Sequence, residues 1–323
     1  MITWGVNPIF SNLSPRFKPL LRKSYPMKLR YRLLTIELVV LVFLGSEALA
    51  VILPLENGLS SPKDSISLLL KKRVKDASGV KDVYSVQNLV PSQTAVIICD
   101  MWDRHWCKGA TERVTEMAPA INRFVNAARA KGMFIVHAPS DCMDYYKNTT
   151  ARKRASRYKN RDLSLDHWVH KTGEEAGYPW PIDSLTEGCN DTPYCTPGKA
   201  WTRQISSITI RDEDAVSESG SEIAALFQDR GIRNVLILGV HTNMCVIGRS
   251  FGIRSLKQQG YNVALVRDLT DAMYDSRQWP YVSHFQGLGL MINYIEQYLC
   301  PTVVSSDVTG DSPFRFKDDE RIE

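Results

Sequence analysis

Beyond Pro91 the chain alternates short, continuous apolar runs with stretches whose apolar residues recur every three or four positions. Ala95-Val96-Ile97-Ile98-Cys99 is apolar throughout, as a strand covered on both faces requires. Val114, Met117, Ala118, Ile121, Phe124, Val125 and Ala128 then mark one face of a helix, with Lys131-Gly132 as its stop. Met133-Phe134-Ile135-Val136 is the next strand. The rhythm resumes after residue 204 with a strand at Ile205–Ile210 and a helix over about Ser219–Arg230, where Ser219 and Glu222 have capping-box spacing. A strand at Val235–Val240 and a helix over about Cys245–Gln259 follow, then a strand at Asn262–Val266, a helix over about Val282–Leu299 and a strand at Thr302–Val304. Strands alternating with helices predict an α/β fold in three layers, a mainly parallel sheet with helices on both faces. In such folds sites form at the C-terminal ends of strands, here after Cys99, at His137 and after Val240.

The segments outside this rhythm divide the chain. Residues 51–92 read as a lead-in linker, in which Leu68-Leu69-Leu70 and Lys71-Lys72-Arg73 suit an amphipathic turn or two. Residues 93–304 form the main domain, with an insertion over about 138–204 rich in Pro, Gly, Asp, Cys and aromatics. Irregular stretches of that length are usually functional or cross-linked. Residues 305–323 read as a polar, loose tail.

Composition changes the picture mainly through its distribution. At 44% hydrophobic and 23% charged, the chain is of ordinary globular type. Residues 1–50 hold seven bases and two acids, whereas residues 51–323 hold 33 of each sign. The basic excess therefore sits outside the main domain, which argues against a nucleic-acid partner. Lys28, Arg30 and Arg32, the apolar stretch Leu33–Leu44 and small residues at Ala48 and Ala50 make the pattern of a secretory signal peptide ending near Ala50. Met27 is then a natural start. The competing reading is a membrane anchor over roughly Ile36 to Leu55, opposed by Glu37, Ser46 and Glu47. Export to an extracytoplasmic location is the working expectation. Seven cysteines suit it, and Cys142, Cys189 and Cys195 make a local bridge within the insertion plausible.

Candidate chemistry gathers at two strand ends. Gly239-Val240-His241-Thr242-Asn243-Met244-Cys245-Val246 runs from a strand straight into a helix. Cys245 then sits either as a buried small hydrophobe or as a nucleophile, its thiolate favoured by the first helical turn and an oxyanion held by the same N–H groups. Asp100 directly follows an apolar strand, as a loop cap or as a base for that thiol. Asp103, His105 and two Trp side chains in Asp100-Met101-Trp102-Asp103-Arg104-His105-Trp106-Cys107 suggest either a wall for a planar or cationic substrate or a polar loop packed on the insertion. His137 is either a pocket wall or a satisfied core histidine. His167-x-x-His170 has metal-like spacing without a third ligand, so no metal is expected. The sequence has no Gly-rich phosphate loop, and no cofactor is expected.

Ile97-Ile98-Cys99-Asp100-Met101 resembles the opening strand of the isochorismatase-like cysteine hydrolases, the group that includes nicotinamidases. Gly239 to Val246 resembles that family's nucleophile turn, and Val266-Arg267-Asp268 its following strand-end Asp, over about residues 93–304. The resemblance implies a Rossmann-like fold, Cys245 as nucleophile through a thioester, Asp100 as general base, and a cis peptide between Val240 and His241. Val240, His241 and Met244 would line the oxyanion and substrate site. It also implies self-association and a small-molecule substrate with an amide or related C–N bond. The family's catalytic Lys is missing: Ile210 stands at its position, leaving Arg211, Lys199 or Arg203 to supply the cation. That departure supports the alternative of a non-catalytic protein binding a small ligand or a partner. A further option is hydrolysis by Asp100 without a covalent intermediate.

Overall fold

The computed structural model describes residues 65–161 and 163–321. The N-terminal extension and its secretory pattern lie outside the described residues. Eight strands form one sheet in the order β2-β1-β8-β7-β6-β3-β4-β5. They are β1 (Ile66–Asp76), β2 (Gly79–Leu89), β3 (Thr94–Cys99), β4 (Phe134–Ala138), β5 (Ala215–Val216), β6 (Asn234–Val240), β7 (Asn262–Asp271) and β8 (Thr302–Val303). From β8 to β5 every pairing is parallel, as the alternating pattern predicts, while β1 is antiparallel to both β8 and β2. The three-layer α/β reading therefore holds.

The central strands show why. Ala95, Ile97 and Cys99 of β3 face one core with Val235 and Ile237 of β6, while Val96, Ile98, Leu236 and Leu238 face the other. Both faces must be covered. Helix α1 (Lys108–Ala130) covers the second through Val114, Met117, Ile121 and Phe124. After the short helices α2 (Met143–Tyr146) and α3 (Thr150–Ser156), helix α4 (Gly220–Arg230) covers the first through Ile223, Leu226 and Phe227. Cys107 caps α1 by accepting the Ala110 N–H on its sulfur. Ser219 caps α4 by accepting the Glu222 N–H, but the capping box stays half made. The Glu222 carboxylate turns instead to Arg152 and Ser217.

Four segments differ from the sequence reading. The expected linker contains the hairpin β1–β2, where Leu68 and Leu70 point into the core on alternate positions and Leu69 points out. The expected strand Ile205–Ile210 is irregular; just before it Gln204 makes an isolated bridge to Trp102. Its place before α4 is taken by β5, two residues long. The expected helix from Cys245 is two short helices, α5 (Cys245–Gly248) and α6 (Ile253–Gln258). The tail is docked through residue 321: Phe316 is buried, and Asp268 accepts from Ser305 N and Oγ and from Phe314 N.

The insertion is held by a buried ion pair. Arg254 of α6 forks onto Glu175 at 2.8 and 2.6 Å, and Tyr294 donates to the same carboxylate. Tyr294 belongs to the last long helix, α7 (His284–Tyr298). Removing one partner strands the other charge, so Arg254→Ala is expected to destabilise the domain by about 3–5 kcal/mol. Urea unfolding against wild type checks this; a change under about 1 kcal/mol would match an exposed pair instead. Among the described residues, no helix is long and apolar enough to cross a membrane.

Candidate active site

β3 and β6 are parallel neighbours with Cys99 opposite Gly239, so the residues after them emerge side by side. Asp100 follows β3 with a φ of 46°, a left-handed value that costs a residue other than glycine roughly 1–3 kcal/mol unless its surroundings hold it. Its N–H donates to Ala138 O at 3.1 Å, its Oδ1 accepts the Ser140 N–H at 2.7 Å, and its Oδ2 accepts Arg249 Nε at 3.2 Å. The side chain is fully buried.

On the neighbouring strand end, Gly239 has a φ of 103°, and a Cβ there would stand 2.1 Å from the Cys99 carbonyl oxygen. Only glycine lets the two backbones approach so closely. The peptide between Val240 and His241 is cis, as the family resemblance implies. Cys245 opens α5 with its thiol facing Asp100. The His241 N–H favours the charged form of that sulfur. Val240 lies within β6, paired with Asp271, and the Met244 N–H is engaged by the His241 carbonyl at 3.0 Å. Among the described residues, the Cys245 N–H has no acceptor. The turn therefore offers the N–H groups of His241 and Cys245, rather than that of Met244, to an anion.

Electrostatics correct one expectation. Burial pushes the Cys245 thiol well above its ordinary range, Asp100 pushes it further, and Arg249 and the His241 N–H pull it back only in part. A four-residue buried helix does not make a resting thiolate. Burial also raises Asp100, against the opposing pull of Arg249 and Ser140. Arg249 is held as a guanidinium: burial works against its charge, but Asp100 and Cys245 outweigh burial.

Arg249 is the functional residue the sequence reading missed. After Gly248 the chain leaves the helix, Arg249 taking φ −59° and ψ 158°, and Gly252 caps α6. This break turns the guanidinium back onto Asp100. The residues named earlier as cation donors lie elsewhere. Arg211 is half-exposed, paired with Glu213 at 3.7 Å and near Asn126 of α1, so its assignment to the site is corrected. Lys199 donates to Asp141 O, and Arg203 to Tyr145 Oη.

The aromatic loop is packed rather than open. Trp102 stacks on Trp201 of the insertion at 4.2 Å and donates to Ser140 O, while Asp103 holds Thr202 and Arg203. His105 stacks at 5.8 Å on Trp201; burial, followed by Arg113, lowers its pKa to about 4, so it is neutral near pH 7. His137 is a satisfied core residue between Gln204 and Asp214. His167 and His170 are exposed and belong to no shared ligand group among the described residues. Ser140 and Arg249, which both hold Asp100, line a cavity of about 430 Å³ with Asp141, Asp166, Trp168 and Glu218.

A mainly parallel sheet with a Cys–Asp–Arg cluster at the ends of two central strands defines the class as α/β proteins with a thiol site. The Isochorismatase domain model matches residues 94–279, and the chain belongs to the isochorismatase family, a family of hydrolases. No curated protein sequence matches significantly. Among solved structures, a cysteine hydrolase from Pseudomonas syringae pv. phaseolicola is 16% identical, with 69% of this chain and 93% of that one aligned at a TM-score of 0.44. An isochorismatase from Pseudomonas putida is 14% identical over 68% and 91%, at 0.41. The pyrazinamidase of Pyrococcus horikoshii in complex with zinc is 17% identical over 62% and 96%, at 0.35.

Proposed function

We propose that the protein is a cysteine hydrolase of small amides or related C–N compounds, working through a thioester on Cys245. The observation that carries this is the convergence of the Cys245 thiol, the Asp100 carboxylate and the Arg249 guanidinium. Asp100 takes the thiol proton as sulfur bonds to the carbonyl carbon. The N–H groups of Cys245 and His241 are the donors for the resulting oxyanion. Asp100 then returns the proton to the leaving nitrogen as the C–N bond breaks. Water attacks the thioester next, its proton passing to Asp100, and the carboxylic acid leaves as the thiol reforms. Arg249 keeps its proton throughout and serves as the fixed counter-charge in the role of the family Lys. The missing Lys was the main argument for a non-catalytic protein, and the cation that Arg249 sets against Asp100 supports the catalytic reading instead.

Ammonia release from a panel of small carboxamides, combined with intact-mass analysis of quenched reactions, tests the reading. An acyl adduct mapped to Cys245, with adduct and turnover both absent in Cys245→Ala, is the expected result. Turnover surviving in Cys245→Ala would instead favour direct hydrolysis by Asp100. Export remains part of the proposal, tested by the N-terminus of the mature chain recovered from the producing cell.

A further inference from the structure

A second cluster of thiols stands where the insertion meets the start of α1. Cys107, Cys189 and Cys195 place their sulfurs 3.2, 3.4 and 3.2 Å from the same oxygen, Oδ2 of Asp191. The donor atoms of Cys107, Cys189 and Asp191 lie within 4.8 Å of one another; Cys195 lies outside that span and joins the group through its contact with Asp191, and all three cysteines are unbridged. Cys142, expected to pair within the insertion, is not part of this group. We propose that these four side chains form a structural zinc site, three thiolates and one carboxylate, that fastens the insertion to α1.

The sulfur-to-oxygen distances suit one ion. Tetrahedral zinc holds sulfur at about 2.3 Å and carboxylate oxygen at about 2.0–2.2 Å, which sets a sulfur and an oxygen on the same ion roughly 3.5 Å apart. The three observed separations fall within a few tenths of an ångström of that edge. The first turn of α1 adds an outer layer: Lys108 N–H donates to Cys195 Sγ at 3.5 Å, Gly109 N–H to Asp191 Oδ2 at 3.0 Å and Ala110 N–H to Cys107 Sγ at 3.5 Å. Three successive amides thus orient three different donors, as outer groups do around bound metals. Arg277 fixes the loop from the other side, donating to the carbonyls of Cys189 and Asp191.

Charge and softness are consistent with the same ion. Three thiolates, one carboxylate and Zn²⁺ leave two negative charges beside the positive end of a 23-residue helix. Binding releases the three thiol protons to solvent. A sulfur-rich set selects zinc over magnesium or calcium, and four protein ligands leave no open position, the mark of a structural site. A disulfide between two of the cysteines would leave the third sulfur and the carboxylate unexplained. The site lies outside the Cys245 cluster, so it stands or falls independently of the hydrolase reading.

The test is zinc K-edge X-ray absorption on the reduced full-length chain, loaded with zinc and desalted. One zinc retained per chain, with three sulfurs at about 2.3 Å and one oxygen near 2.0 Å, is the expected result. Cys195→Ser should lower the sulfur count to two and weaken retention. Should that variant fail to fold, the wild-type absorption decides alone. Failure of the reduced chain to keep zinc, a shell without sulfur, or a disulfide among Cys107, Cys189 and Cys195 in the protein as isolated would overturn the proposal.

Discussion

Asp100→Asn is expected to lower amide hydrolysis by about 10²–10⁴-fold while making Cys245 easier to alkylate near pH 8. Both effects follow from one charge. In the proposed mechanism Asp100 takes the thiol proton, and an amide has no comparable basicity. In the resting protein the same carboxylate stands against the thiol and, after burial, is the largest influence raising it. Asn keeps the shape and an oxygen for the Ser140 N–H but removes the anion, leaving Arg249 and the His241 N–H to favour the thiolate. The thiol pKa then falls and the thiolate fraction at fixed pH rises, offset in part by the lower nucleophilicity of a more acidic thiol. Iodoacetamide labelling of the Cys245 peptide against pH, beside hydrolysis rates, checks both. Slower labelling in the variant would mean that Asp100 assists ionisation, contrary to the electrostatics described above.

The wild-type pH profile bears on the same pair. Burial raises Asp100, so the acid limb of kcat/KM should lie above the ordinary carboxylate value. It should vanish in Asp100→Asn. The alkaline limb should lie beyond the ordinary thiol range, because Cys245 is raised as well.

How much of this was readable depended on how locally each feature is encoded. Strands buried on both faces announce themselves as unbroken apolar runs, so β3, β4 and β6 and the helix faces between them were legible. Asp100 and Cys245 were legible because each adjoins such a strand. The hairpin was not, because Leu69 fills the gap between the inward-facing Leu68 and Leu70 and hides the period of two. Gly79, with a φ of 122° at the turn, was the available signal. The Ile205–Ile210 run reads like a strand, but its hydrogen bonds go to Met101 after β3 and to Asn122 and Arg129 of α1, not to a strand of the sheet.

Arg249 escaped for a different reason. A continuous helix through Cys245–Gln259 fits the apolar spacing, and the break after Gly248 depends on tertiary packing, where Trp168 of the insertion fills the space a Gly248 Cβ would need. The sequence spacing from Cys245 to Arg249 is four, which places the two on one side of a helical turn, and that was a signal in hand. The family resemblance points instead to the strand that carries the Lys. In this chain the cation paired with Asp100 comes from the turn that carries Cys245.

That relocation makes Arg249→Met the second large effect. The guanidinium is the only cation paired with Asp100 among the described residues. Removing it leaves a buried carboxylate without its counter-charge, and Asp100 holds its proton to higher pH. Hydrolysis at neutral pH should fall about 10²–10³-fold, the scale of losing one preorganised charge partner. The acid limb should also move to higher pH, each unit corresponding to about 1.4 kcal/mol. Arg249→Lys restores the charge without the planar fork, so its limb should return towards wild type while kcat stays reduced. Rates at several pH values, with urea unfolding to confirm a folded variant, separate this from loss of structure. A folded Met variant with an unmoved acid limb would mean that Arg249 does not set the charge on Asp100, and the cation would have to be sought among groups that arrive with the substrate.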